Sequence, residues 1–246
     1  GAPTDLVARR WRRFGESGAK LVWGGEAVAV HPDGRANPHQ LISSDATTGA
    51  IAGLRAGLEA AHREAMGGSD GLLVGLQLTH SGRWSRPEGD PLPQTAHRHT
   101  ELDRRQGVGA AEVLTDDQLD ELVGRYVVAA GRAQEAGFDF VDVKHCHGYL
   151  LHELLTGVDR PGRYGGDLLG RTRFLREVVA GIRSETPGLA IGVRLSAYDL
   201  GPYEGDEDGI GVPAPGAAEG ASFGGDGTGM GIDLTETHEF LDLCGG

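Results

Sequence analysis

Short apolar runs alternate with long amphipathic helices along most of this chain, and that alternation constrains the fold more than any other feature. Leu72–Leu78, Phe138–Val143 and Leu189–Leu195 are mainly apolar runs bounded by turn residues, as expected of strands buried on both faces. Asp45–Met66 reads as a helix, with Ile51, Leu54, Leu58 and Ala61 at helical spacing and Gly67-Gly68 to stop it. A Thr115-x-x-Gln118 capping box opens the next helix, which carries Leu119, Leu122, Val123 and Tyr126 on one face and stops near Gly137. Arg171–Ser184 turns Phe174, Leu175, Val178, Val179 and Ile182 toward a core. Val7–Arg13 is the end of an earlier helix, before the apolar run Leu21-Val22-Trp23.

Strands of this kind between such helices predict an α/β fold, a parallel sheet covered by helices. A doubly wound sheet should carry a phosphate-cradling glycine signature after its first strand, and none is present. Polar residues instead follow successive strands: Glu26, then Gln77 and His80, then Lys144, His145 and His147, then Arg194. Active sites of (β/α)8 TIM barrels are built at such strand ends, so the prediction is a barrel. Residues 1–246 form one domain, with two stretches of no evident regular structure. The Pro-, Arg- and His-rich segment 84–113 reads as a lid-like excursion, and the Gly- and Asp-rich segment 197–232 as a flexible one.

The balance of charge excludes some partners. A formal net charge of −13 with scattered Lys and Arg argues against nucleic acid and anionic membranes. No run of about 18 apolar residues exists to span a bilayer. Two cysteines, Cys146 and Cys244, make no disulfide scaffold and suit a reducing cytoplasm. The expectation is a soluble, cytoplasmic protein acting on a small molecule.

Gln77 and Arg194 stand at the ends of apolar strands, where an amide needs a hydrogen-bond partner and a guanidinium an anion or carbonyl. Alternation sets them above Gly75 and Gly192, as though room were left for a flat ligand. Lys144-His145-Cys146-His147-Gly148-Tyr149 is the densest group. His147 with Tyr149 suits polarising a carbonyl while a phenol gives a proton. His145-x-His147 after a barrel strand also suits zinc in a hydrolase. Cys146 is a nucleophile in principle, and the whole group could also be a polar loop.

Four segments carry a resemblance to a known family. They are Gly25–Val30 with Pro32–Arg35, Leu76–Arg83, His147–Leu150 running on to Arg163–Gly166, and Gly192–Ser196. In this order they resemble the old yellow enzyme family, the FMN-dependent ene-reductases and their dienoyl-CoA reductase and amine dehydrogenase relatives. The resemblance implies a flavin site with Ala27 against the ring, Gln77 on its pyrimidine edge and Arg194 near N1/O2, where its charge favours the reduced form. It implies that His147 holds the electron-withdrawing group of the substrate, that Tyr149 is the proton donor and that NAD(P)H is the reductant. Lys144 stands where the family has His, Asn or, in amine dehydrogenases, Tyr. By the same resemblance the chain is an internal piece, about strands 2 to 5 of the barrel, and a piece of that extent is expected to be inactive alone. A metal-dependent hydrolase and a catalytically silent flavin barrel stand as the alternatives.

Overall fold

The computed structural model describes residues 1–108, 113–217 and 222–245. Helix α1 (Asp5–Glu16) starts at Thr4, whose hydroxyl accepts the Val7 N–H, and lies along α2 (Asp45–Met66). Between them the chain makes two short strands, β1 (Leu21–Val22) and β2 (Ala27–Ala29). Both pair in parallel with β3 (Leu73–Thr79), Leu21 opposite Leu73 and Ala27 opposite Gln77. Four residues, Trp23 to Glu26, therefore stand opposite two of β3, Gly75 and Leu76. The bulge turns at Gly24 (φ +82°), where a Cβ would come within 3.0 Å of that of Gln77.

A first excursion holds α3 (Thr100–Gln106) and leads to α4 (Asp116–Glu135), opened by the expected Thr115–Gln118 capping box. Then come β4 (Phe140–Val143), α5 (Leu150–Leu155), α6 (Leu168–Arg171), α7 (Arg173–Glu185) and β5 (Ala190–Gly192). All the strand pairings so far are parallel, in the order β1/β2–β3–β4–β5. One face of this sheet carries Val74, Leu76, Leu78, Val141 and Val143, all buried under the helices. The other face leaves Leu21 and Leu73 half exposed, at 52% and 51%. Helices on one face only make this an arc of a barrel wall rather than a doubly wound sheet.

The inner face corrects one expectation. A Cβ on Gly75 would enter the Phe140 ring, and one on Gly192 would come within 2.6 Å of Trp23. The two rings pack with centroids 4.9 Å apart. Gly75 and Gly192 thus make room for Trp23 and Phe140, the alternation of large and small residues that fills a barrel layer, and not for a ligand.

Both excursions contain regular structure that composition hid. The first is clamped through α3 by buried Arg83, which pairs with Asp103 and with Glu153 of α5. The second forms an antiparallel hairpin, β6 (Tyr203–Gly205) with β7 (Gly211–Pro213), and sends Phe223 against Phe240 of α8 (Thr235–Gly245). The parts of these excursions at 109–112 and 218–221 lie outside the described residues. Among the described residues, no helix is long and apolar enough to cross a membrane.

Candidate functional site

The inward positions at the C-terminal strand ends converge on one carboxylate. Gln77 and Asp142 are direct neighbours in the β3–β4 register, and Gln77 Nε2 donates to Asp142 Oδ2 at 2.5 Å. The other oxygen, Asp142 Oδ1, accepts the Arg194 backbone N–H at 2.7 Å. Burial pushes the Asp142 carboxyl up, and those hydrogen bonds oppose the push. Gln77 is therefore held by its amide nitrogen, with its carbonyl oxygen outside that bond. Ala27 sits across from Gln77 on the same face, half buried. The Arg194 guanidinium is exposed on this face and makes no hydrogen bond or salt bridge among the described residues.

Two residues after Asp142, just past the end of β4, Lys144 comes to the same mouth. Its Nζ lies 3.6 Å from the centroid of the Tyr149 ring, a cation–π contact. Burial pushes Lys144 down to about 8; Arg194 adds to the push, while Cys146 and Asp142 oppose it. No carboxylate among the described residues pairs with the ammonium, Asp142 included.

After Lys144 the chain turns sharply. His147 has φ +67° and Gly148 φ +64°, a costly conformation for histidine that the surroundings must hold. Three elements hold it. Gly148 N–H donates to His152 Nδ1 at 2.9 Å, Trp84 Nε1 donates to the Gly148 carbonyl at 3.1 Å, and His147 N–H meets Ser196 Oγ at 3.3 Å. The turn brings the exposed His147 ring edge-on to Tyr149, centroids 6.3 Å apart. Tyr149 itself caps α5, its carbonyl accepting the Glu153 N–H.

The comparisons with known proteins bear on this arrangement. The model of the NADH:flavin oxidoreductase / NADH oxidase family matches residues 16–211. The chain belongs to that family. It is 35% identical over 191 residues to an NADPH dehydrogenase of Bacillus velezensis, covering 76% of this chain and 51% of that protein. It thus spans about half the length of the curated relatives it matches. Morphinone reductase superposes with a TM-score of 0.61 at 28% identity, over 79% of this chain and 54% of that one. A 2-naphthoyl-CoA reductase superposes with a TM-score of 0.62 over 79% of this chain and 30% of that one, at 20% identity, which speaks for the fold alone. The fold is therefore α/β, part of a TIM barrel.

Within this flavin oxidoreductase arc the expected residues separate into two sets. Ala27, Gln77, Arg194, Lys144, His147 and Tyr149 lie on the inner face or at its mouth. His145 does not join them. Its buried Nδ1–H donates to the Val143 carbonyl at 2.8 Å, its ring packs on Phe240, and burial pushes it down to about 4. Among the described residues no three His, Cys, Asp or Glu side chains converge as metal ligands. The His145/His147 zinc pair is thus not assembled. Cys146 is buried at 2% exposure and burial pushes its thiol up, an environment that disfavours the nucleophilic thiolate. Glu26 is taken by Arg10 of α1, and buried His80 accepts the Gly82 N–H. Sequence reasoning missed Asp142 as the hub. The signal was an acidic residue inside an apolar strand, in register with a buried amide.

Proposed function

We propose that the protein to which this arc belongs is an FMN-dependent oxidoreductase that passes hydride from NAD(P)H through flavin to an activated alkene of the enone or enoyl type. The observation that carries this reading is the Arg194 guanidinium, unpaired among the described residues, beside an Asp142-anchored Gln77, at the same mouth as Lys144, His147 and Tyr149. This donor set fits a flavin. A flat ring with carbonyl and nitrogen acceptors along one edge suits a guanidinium and an amide, and Ala27 leaves its face uncovered. Bound there, the flavin would supply two-electron hydride chemistry. Gln77 and Arg194 would fix the ring's polar edge, while Lys144 and His147 would hold the carbonyl that activates the alkene. Tyr149 would give the proton. NADPH, named for the Bacillus velezensis relative, is the reductant this reading favours.

The test uses the full-length protein. It should bind flavin, and NADPH should bleach the flavin absorbance. Arg194→Met should lower the flavin reduction potential and slow that bleaching, because a positive charge beside the ring favours the reduced form. An unchanged potential removes Arg194 from the site.

Lys144 makes a pH prediction. With its pKa held near 8, its charge is present below that value and lost as pH rises through it. For a carbonyl-activated alkene, kcat/KM should fall between about pH 7 and 9. Lys144→Met should be lower and flat over that window. A wild-type profile flat from 7 to 9 would take Lys144 out of substrate binding.

A further inference from the structure

Behind the His147–Gly148 turn lies a second cavity, of about 260 Å³, between the two excursions. Most of its polar lining is already engaged. Arg83 and Glu153 hold each other, and His97 Nε2 lies 2.7 Å from the Thr156 hydroxyl. His152 is different. It is 3% exposed, and its Nδ1 accepts the Gly148 backbone N–H. An amide N–H can only donate, so that nitrogen carries a lone pair and the ring proton sits on Nε2. Among the described residues this Nε2 is buried without a hydrogen-bond partner, which a native site seldom tolerates. Asp199 lines the same cavity, and its carboxylate acts electrostatically on the ring, favouring the charged form against the push of burial.

We propose that His152 is a specificity-determining residue: its Nε2–H donates to a hydroxyl oxygen on the substrate, remote from the carbonyl that His147 holds, and Asp199 accepts the hydroxyl proton. A hydroxyl satisfies both walls with one atom, accepting from Nε2–H and donating to the carboxylate. The one hydrogen bond at Nδ1 thus does two things. It holds His147 in its left-handed conformation and fixes the tautomer that faces the ligand. The proposal rests on the alkene-reductase reading, and it narrows the substrate to hydroxylated activated alkenes.

Two substitutions separate the two edges of the ring. In His152→Asn the amide oxygen can keep the Gly148 N–H, but nothing reaches into the cavity. In His152→Gln the amide nitrogen can reach the Nε2 position, but the turn loses its acceptor. The full-length, FMN-loaded proteins are compared on 2-cyclohexen-1-one and 4-hydroxy-2-cyclohexen-1-one. In the wild type the hydroxylated probe should have the lower KM by about 5- to 10-fold, the usual worth of one net hydrogen bond. That ratio should fall toward one in His152→Asn and in Asp199→Asn, and should persist in His152→Gln. Binding without turnover is read on ¹⁵N-histidine-labelled protein. His152 should show the Nε2–H tautomer, and its resonance should move with 4-hydroxycyclohexanone but not with cyclohexanone. Equal KM for the two enones, or a ratio that survives His152→Asn, overturns the proposal. So does an Nδ1–H tautomer, or the same response to both saturated ketones, which would mean a bound water. Reduction of the flavin by NADPH is recorded on the same proteins. Its failure sinks the hydride-transfer reading, whereas the resonance experiment judges the His152 subsite in either case.

Discussion

In the full-length, FMN-loaded protein, Tyr149→Phe is expected to slow alkene reduction by about 10²–10⁴-fold, the usual contribution of a positioned general acid. Reduction of the flavin by NADPH should be nearly unaffected. The two halves make different demands on the protein: only the second needs a proton delivered to carbon. The geometry suits Tyr149 for that delivery. It sits at the N-cap of α5, so its backbone is fixed, while its ring neighbours both the Lys144 ammonium and the His147 imidazole. Removing the phenolic oxygen leaves the ring, and with it the cation–π contact, in place. Stopped-flow measurement of each half separates the roles. Equal slowing of both would demote Tyr149 to a packing residue that supports Lys144.

How far the sequence reached depends on what alternation can and cannot say. Along a strand it assigns faces, so it sets Gln77 with Gly75 and Arg194 with Gly192, while Lys144 is expected only at the barrel mouth, past the end of its strand. It does not say which neighbours fill that face. Gly75 and Gly192 looked like empty floor, but Phe140 from the adjacent strand and Trp23 from the bulge occupy it. Those contacts join residues far apart in sequence, and no local pattern encodes them. His152 was hidden for another reason. It lies in Leu150-Leu151-His152-Glu153-Leu154-Leu155, which reads as a greasy turn after the interesting residues. The signal was there, since a His and a Glu buried in an apolar helix must each find a partner. The two excursions misled through composition. Gly, Pro and Asp describe the turns of the β6–β7 hairpin, but its pairing and the burial of Phe223 depend on the fold beneath.

Arg83 carries the largest expected effect on stability. It is 2% exposed and ends the run Leu76–Arg83. Its Nε donates to Glu153 Oε1 at 2.8 Å, one terminal nitrogen to Asp103 and the other to the His97 carbonyl at 3.0 Å. Glu153 also accepts the Ala96 N–H at 3.1 Å, and Asp103 is shared with Arg98. One guanidinium therefore ties the first excursion to the helix that bears Tyr149 and His152. Arg83→Met fills much of the volume but leaves Glu153 buried without its cation, which should cost about 3–5 kcal/mol. The cost should also depend on pH, and the sign follows from Glu153. Burial already pushes its carboxyl up, and Arg83 is the largest influence opposing that push. Without Arg83 the carboxyl shifts further up and takes a proton more readily as pH falls. A protonated Glu153 no longer buries a lone charge, so the penalty should be smaller at pH 5 than at pH 8. Adding Glu153→Gln to Arg83→Met should recover part of the loss at pH 8 and little at pH 5. Denaturant unfolding of the full-length variants at both pH values reads this directly. A loss below about 1 kcal/mol, typical of an exposed pair, would mean that the excursion is not clamped to α5 through Arg83.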